Sequence, residues 1–206
     1  MAKTSARPKN GARTKPARPH EARPTALNLL PAKLDDTMQA YFGKCMEKLG
    51  FVPNVLAAYS FDLAKLKAFV AMADDLMLAP SGLTKLEREM VAVTVSTANF
   101  CHYCIVAHGA AVRKLSGDAK LGDILAANYR AADLDARSRA MLDFVWKLTV
   151  EPWTIEEEDR AGLRKAGFKD RDIWDIAAVA AFYGMSNRLA SATEMVPNDE
   201  YYTMGR

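Results

Sequence analysis

The sequence predicts an all-α protein, on three observations. Apolar residues recur three and four positions apart along most of the chain, as they do on one face of a helix. Two Thr-x-x-Glu patterns, at Thr84 and Thr154, have the form of a capping box that opens a helix. No long strand candidate survives beside these patterns. With 206 residues, half of them apolar, the chain has material for one sizeable core, so we expect a single folded domain.

The first predicted helices lie between residues 35 and 78. Residues 35–49 read as an amphipathic helix that ends at Gly50, and its apolar stripe holds Met38, Tyr41, Phe42, Cys45, Met46 and Leu49. A short helix over 53–59 and a longer one over 61–78 follow. Cys45 lies on the apolar stripe, so we interpret it as a core thiol, with a third redox cysteine as the alternative.

The next predicted helix opens at Thr84, whose capping partner is Glu87, and carries Glu89. The run from Val91 to Val95 alternates like a strand, which is the competing interpretation. The length of the segment, its cap and its flanking charged residues favour a helix.

Four more helices are predicted in the second half of the chain. They cover 118–128, a segment to 149 capped by Asp133 or Asp135, a segment from the Thr154 cap to 166, and 170–195, whose apolar centre we expect to lie in the core. The segments LTKLEREMV and LDARSRAML, 51 residues apart, share Leu, Arg and Met at the same offsets. This faint repeat is consistent with a duplicated helical pair.

Two of the three cysteines, Cys101 and Cys104, form a Cys-x-x-Cys pattern, and His108 follows four residues later. Residues four apart share a helix face, so His108 can reach the sulfur of Cys104. A free thiol has a pKa of about 8.5, and a base that takes its proton increases its reactivity. Cys104 is therefore the predicted nucleophile.

The same residues predict a break in the chain near residues 98–100. A disulfide between Cys101 and Cys104 needs closer Cβ atoms than an internal helical turn provides, so Cys101 must lie in an opening turn, and Asn99 is a favoured N-cap type. In one unbroken helix Glu89 would lie roughly 22 Å from Cys104. If the chain turns at Asn99, the Glu89 carboxylate can fold back toward His108.

The pattern Glu, eleven residues, Cys-x-x-Cys, three residues, His resembles the signature of the alkylhydroperoxidase AhpD-like proteins in the carboxymuconolactone decarboxylase superfamily. The segment CHYCIVAHGAAV is close to a branch of uncharacterised peroxidase-related proteins, and a looser similarity runs from about Leu34 to FYGMSNRLA. The resemblance implies an AhpD-like helical bundle, trimeric or hexameric homo-oligomers, and an antioxidant peroxidase that acts on hydrogen or organic peroxides.

Carried over by position, the resemblance makes Cys104 the peroxidatic cysteine, Cys101 the resolving cysteine, and His108 with Glu89 the proton relay. It implies no bound cofactor and no metal, only an external dithiol reductant of lipoyl or thioredoxin-like kind. One position departs from the family pattern: the best-studied members have His where this chain has Tyr103. A tyrosine there can donate a hydrogen bond but does not buffer protons near neutral pH, so Tyr103 is a possible supporting residue.

Several alternatives stay open. The two cysteines could be simple core residues, and Cys101, Cys104, His108 and Glu89 could complete a zinc site, although structural zinc sites favour a second Cys/His pair. A stress-sensing redox switch uses the same thiols. The superfamily also contains a lactone decarboxylase, which uses no dithiol. We expect His102 to face the surface or an oligomer contact. We expect Tyr183, Asn187 and Arg188 to serve packing or capping, with lining of the pocket or an interface as the alternative.

Residues 1–31 differ from residues 32–206, which we take as the helical domain. The tail carries seven Lys or Arg residues against the single acid Glu21 and five of the nine prolines, so it is predicted to be disordered. Its charge is +6, which leaves 3 − 6 = −3 for the domain, and nucleic-acid binding is the less favoured role for the tail.

The chain shows no pattern of a membrane or secreted protein. The longest apolar run has about half the length of a membrane helix, and no signal-peptide pattern opens the chain. Three cysteines, two of them in one Cys-x-x-Cys, suit a reducing compartment. We therefore expect a cytoplasmic protein without a membrane partner.

Overall fold

A computed structural model describes residues 23–206, which form ten α-helices, two short 3₁₀ helices and no strand. The predicted all-α class is confirmed. The α-helices are α1 (Asp36–Leu49), α2 (Asn54–Tyr59), α3 (Leu63–Leu78), α4 (Lys85–Ala98), α5 (His102–Ser116), α6 (Leu121–Asn128), α7 (Ala136–Val150), α8 (Glu157–Lys165), α9 (Asp170–Ala192) and α10 (Glu200–Thr203). The 3₁₀ helices are Tyr129–Ala131 and Pro152–Thr154.

Helices α1, α3, α4 and α7 each begin after a residue whose side chain caps the helix. The Asp35 carboxylate accepts from the Met38 amide, and Asp135 rather than Asp133 caps α7. Thr84 and Glu87 form the predicted capping box. The capping box predicted at Thr154 is wrong: the Thr154 hydroxyl donates to a carbonyl in the preceding turn, and α8 begins after residue 156 with its own box.

Helix α4 lies at the centre of the molecule, packed against α5, α7 and α9. Val91, Val93 and Val95 are fully buried, and so are the residues between them. A helix that is buried on all sides needs no polar face, so these valines follow from burial rather than from a strand. The apolar stretch of α9 also joins this core, as predicted.

Three apolar clusters divide the interior. The largest joins α4, α6, α7 and α9. A second lies beneath α1, α2 and α3. The third contains the two cysteines and is formed by Phe51, Cys101, Tyr103, Cys104, Ala107, Ala110, Ala190, Met195 and Tyr201. The dithiol therefore lies in its own small cluster, where α5 meets the ends of α9 and α10.

The two segments of the sequence repeat are the starts of α4 and α7. Their N-caps, Thr84 and Asp135, are also 51 residues apart, and the two helices pack against each other. Arg88 and Arg139 each donate to backbone carbonyls that precede their own helix. The shared arginine therefore has the same structural role in both helices.

Residues 23–31, part of the predicted tail, run along the domain without forming a helix. Backbone bonds tie this segment to the end of α9, from Ala26 to Thr193 at 2.8 Å and from Val196 to Pro24 at 3.0 Å. The rest of the predicted disordered tail lies outside the described residues. No helix in residues 23–206 is both long enough and apolar enough to cross a membrane.

Candidate active site

A tight turn between α4 and α5 places the cysteines. The amides of Phe100 and Cys101 donate to the carbonyls of Thr97 and Ser96, at 3.0 and 2.9 Å. This is the Schellman pattern of hydrogen bonds that closes the end of a helix. Phe100 occupies its left-handed position with φ 54°. The predicted break near residues 98–100 is therefore present.

The prediction that a new helix begins at Asn99 is wrong. Asn99 is the C-cap of α4, and α5 begins at His102 with Cys101 as its N-cap. The Asn99 side chain is used elsewhere, because its amide nitrogen donates to Asn187 on α9 at 3.0 Å. A tertiary contact thus replaces the local cap that the sequence suggested.

Cys101 and Cys104 lie in the first turn of α5 as buried free thiols, with exposed fractions of 1% and 3%. The pKa of Cys101 is lowered from 9.0 to about 6, first by hydrogen bonding from the Cys104 thiol and then by the Cys104 amide, against the effect of burial. The pKa of Cys104 is raised, first because its thiol is bonded to Cys101 and then by burial. In the neutral range the two sulfurs therefore hold one proton between them.

Three polar side chains also contact the thiols. Hydrogen bonding from Ser191 and Asn187 lowers the pKa of Cys101, and Asn187 and Ser96 act in the same direction on Cys104. The Asn187 amide also donates to the Ser96 hydroxyl at 2.9 Å. Sequence reasoning assigned Asn187 to packing and missed both serines. The only sequence signal was polar residues on otherwise apolar helices.

Glu89 and His108 meet in the way that the predicted turn requires. The Nδ1 atom of His108 lies 2.6 Å from Oε2 of Glu89, and the imidazole packs edge-on against Tyr183 at 4.4 Å between ring centroids. A carboxylate oxygen accepts, so Nδ1 donates and Nε2 is left for other partners. The pKa of Cys104 is set by Cys101 rather than by His108, so the predicted role of His108 as the base for Cys104 has no direct support.

A cavity of about 290 Å³ opens onto one side of the dithiol, and we call it the first cavity. Cys104, His108 and Glu89 line it, but Cys101 does not. Its remaining walls are mainly apolar and aromatic, from Tyr41, Leu56, Tyr59, Phe69, Met77, Phe182, Tyr183 and Leu189. The half-buried Cys45 is on the wall of this cavity and in the α1–α3 cluster, and burial raises its pKa.

One hydroxyl on this wall has no bonding partner within the described part of the chain. The buried Oγ atom of Ser186 makes no hydrogen bond, although Ser186 lines the first cavity. A buried hydroxyl without a partner is costly, and a polar group bound in the cavity would satisfy it.

Comparisons with known proteins identify the family of the chain. The model of the carboxymuconolactone decarboxylase family matches residues 65–144. An uncharacterised peroxidase-related protein from Silicibacter sp. TM1040 is 59% identical, with a TM-score of 0.88 over 92% of this chain and 100% of its own. The chain belongs to the AhpD-like proteins of this superfamily. A second relative, the "alkylhydroperoxidase AhpD core" protein from Ralstonia eutropha JMP134, is 43% identical, with a TM-score of 0.86 over 92% of this chain and 98% of its own.

Other comparisons are more distant. The debrominase Bmp8, in complex with 2,3,4-tribromopyrrole, shares the AhpD-like fold at 17% identity, with a TM-score of 0.72 over 86% of this chain and 95% of its own. No curated protein sequence matches the chain significantly.

Two residues beside the cysteines of this AhpD-like protein have partners of their own. The buried Tyr103 hydroxyl accepts from the Val55 amide at 3.0 Å, so it ties α2 to α5, and burial raises its pKa. His102 is exposed, as predicted, and its Nε2 atom lies 3.2 Å from the Tyr202 hydroxyl.

A second cavity, of about 380 Å³, lies on the other side of the AhpD-like dithiol. Cys101 lines it and Cys104 does not, and the remaining walls are Phe100, His102, Tyr103, Ala190, Ser191, Glu194, Met195, Val196, Pro197, Asp199 and Tyr202. Tyr103, Ala190 and Met195 belong to both cavities and form the wall between them.

The zinc alternative lacks the ligand cluster that it needs. Within residues 23–206, no three His, Cys, Asp or Glu side chains come together so that they could hold a metal ion. The His108–Glu89 pair and the two thiols form separate contacts.

Proposed function

We propose that this AhpD-like protein is a thiol-dependent peroxidase that reduces organic hydroperoxides through Cys104 and Cys101. One observation carries the proposal: a thiol that shares its proton with a second thiol lines the same apolar cavity as a bonded His–Glu pair. An apolar cavity of this size suits an alkyl or aryl hydroperoxide better than the small, polar hydrogen peroxide.

The first step takes place in the first cavity. Cys104 holds the shared proton at rest and passes it to the Cys101 thiolate, so Cys104 becomes the attacking thiolate without an outside base. The Cys104 sulfur attacks the terminal peroxide oxygen, the O–O bond breaks, and the alkoxide takes a proton that Nε2 of His108 relays from solvent, while Nδ1 of His108 is held by Glu89. The products are an alcohol and a sulfenic acid on Cys104.

The second step closes the disulfide. The Cys101 sulfur attacks the Cys104 sulfenic acid, an S–S bond forms, and the hydroxyl leaves as water with the proton that the pair retained. Two electrons have then passed from the thiols to the peroxide. A dithiol supplied from outside restores them, and a lipoyl-type dithiol fits this role. The active species is a trimer or hexamer, in keeping with the family.

Steady-state peroxide consumption tests the proposal. Wild-type protein is given tert-butyl hydroperoxide or hydrogen peroxide with excess dithiothreitol. We expect faster turnover of the organic peroxide and a loss of at least about 100-fold in Cys104→Ser, because this variant lacks the nucleophile. The matched variant Cys101→Ser should be oxidised once, to a sulfenic acid, without forming an intramolecular disulfide. Full turnover by Cys104→Ser would refute the scheme.

The same assays separate the alternatives. A redox switch would be oxidised once per chain without sustained turnover in excess reductant. A decarboxylase of the wider family would consume carboxymuconolactone, and Cys104→Ser would leave that activity unchanged.

A further inference from the structure

The dithiol lies in the wall between two cavities, with one sulfur on each side. Cys104 lines the first cavity together with the His108–Glu89 pair, whereas Cys101 lines the second cavity. Tyr103 separates the two, and its hydroxyl is held by the Val55 amide. Two reactants can therefore reach the two sulfurs from opposite sides without meeting each other.

We propose that the second cavity is the binding site for the reductant, a slender uncharged dithiol that attacks the sulfur of Cys101. This inference rests on the proposed function and assigns the second half of the cycle to a second site. Which sulfur a thiol attacks depends on access. In the disulfide, the Cys101 sulfur is the one that the second cavity exposes.

The chemistry of this step is a pair of thiol–disulfide exchanges. The reductant thiolate forms a bond to the Cys101 sulfur, the Cys101–Cys104 bond breaks, and Cys104 leaves as a thiolate that takes up a proton. The second thiol of the reductant then attacks the reductant sulfur that is bonded to Cys101, and the mixed disulfide breaks and releases Cys101. The reductant is oxidised to a cyclic disulfide, and its two electrons restore the protein dithiol.

Backbone strain marks the second cavity as a functional site. Six helices in the described chain are followed within two residues by a residue of positive φ. After α1, α5, α8 and α10 this residue is Gly50, Gly117, Gly167 or Gly205. After α4 and α9 it is Phe100 (φ 54°) or Glu194 (φ 49°).

Phe100 and Glu194 both close Schellman turns, and both line the second cavity. Glycine is the favoured residue at such positions, and strain held by larger residues clusters at functional sites. The side chains at these two positions therefore serve the cavity rather than the turn.

The shape and charge of the second cavity select the class of reductant. Cys101 is 1% exposed, so a thiol on the surface of a folded protein cannot reach its sulfur, whereas a narrow free or chain-borne dithiol can. Phe100 is 88% exposed beside it and offers an apolar contact to the carbon chain of such a dithiol. Asp199 on the wall disfavours anionic thiols such as glutathione.

Two matched substitutions test the inference by half-reactions. Val196 lines only the second cavity and Leu189 only the first, and each is 38% exposed. Oxidation is followed as loss of free thiols after addition of tert-butyl hydroperoxide. Reduction is followed as recovery of thiols after addition of dithiothreitol to the disulfide form.

We expect Val196→Trp to slow reduction at least tenfold while oxidation stays within twofold of the wild type, and Leu189→Trp to show the reverse. His102→Trp, an exposed position on the second cavity, repeats the first test if Val196→Trp does not fold. Equal slowing of both half-reactions by Val196→Trp, or slower reduction in Leu189→Trp, would overturn the inference. So would reduction by thioredoxin as fast as by dithiothreitol.

Failure of the proposed function gives a different result. If wild-type thiols do not react with the hydroperoxide, the peroxidase proposal fails. The disulfide can then be formed with diamide, and the effect of Val196→Trp on its reduction still tests the second cavity.

Discussion

Cys101 and Cys104 hold one proton between them near neutral pH, and in the proposed mechanism the position of this proton sets which sulfur is reactive. The Cys101 thiolate is stabilised because the Cys104 thiol donates a hydrogen bond to it, and Asn187 on α9 bonds to both sulfurs. His108 and Glu89 stand apart from this exchange and face the same cavity as Cys104. The two groups of residues therefore have separable roles.

Asn187 is expected to stabilise the thiolate. In Asn187→Ala the pKa of Cys101 should rise from about 6 toward 9.0, because a hydrogen bond to the charged form is lost. The ultraviolet absorbance of the thiolate against pH measures this change. The control is Asn99→Ala. Asn99 bonds to Asn187 but is not among the groups that bond to either sulfur, so this variant should shift the thiolate titration less. An unchanged titration in Asn187→Ala would exclude this role.

Glu89 is expected to act on turnover but not on the thiols. Glu89→Gln keeps the shape of the side chain but removes the charge that holds Nδ1 of His108. We expect turnover of the organic peroxide to fall by roughly 100-fold, the lower range for general acid–base catalysis, with the thiolate titration unchanged. A shift of that titration instead would mean that the pair acts on Cys104 as its base.

At the end of α4, the residue in the sequence is not the one that its backbone conformation favours. Phe100 ends α4 in a conformation that favours glycine, and it lines the second cavity. Phe100→Gly should increase the free energy of unfolding by about 0.5–1 kcal/mol, because relief of the left-handed strain exceeds the added freedom of the unfolded chain. Urea unfolding measures this increase in the free energy of unfolding. The disulfide of the same variant should also be reduced more slowly by the external dithiol. Destabilisation would show that Phe100 serves the fold.

The contact between α5 and α6 is a close backbone approach. A Cβ atom at Gly122 would lie 2.3 Å from the Gly109 carbonyl oxygen, so Gly122→Ala must push α6 away and should cost about 1–3 kcal/mol of unfolding free energy. The matched control is Gly162→Ala in α8, where a Cβ atom meets nothing within 4 Å. That variant should gain about 0.5–1 kcal/mol, as alanine does over glycine inside a helix. Thermal unfolding compares the two.

The stability of the whole protein should depend on pH through the dithiol. Between about pH 6 and 9.0 the native protein has lost a Cys101 proton that the unfolded chain keeps, so stability rises with pH. Above 9.0 the unfolded chain loses both protons while native Cys104 keeps its own, so stability falls. The contribution of the pair should peak near pH 9.0.

The measurement is the free energy of unfolding against pH for the reduced wild type and for the double variant Cys101→Ser, Cys104→Ser. The difference between the two should peak near pH 9.0, with an upper limit of about 4 kcal/mol, because a tenfold change in proton affinity is worth roughly 1.4 kcal/mol. A difference that does not vary with pH would contradict the shared proton.

The helical class, most helix boundaries and the residues of the candidate site could be predicted from the sequence. Apolar spacing, side-chain caps and the one-turn interval from Cys104 to His108 act over a few residues, so they can be read along the chain. The need for a turn that returns Glu89 to His108 followed from distance, once the family resemblance had included Glu89 in the site.

The residues that surround the thiols could be identified only from the folded protein. Asn99 bonds to α9 instead of opening α5, and Ser96, Asn187 and Ser191 reach the sulfurs from helices far apart in the chain. The division of the two sulfurs between two cavities arises where the ends of α9 and α10 close over α5. These features depend on long-range packing, and a linear pattern carries no information about which distant segments meet.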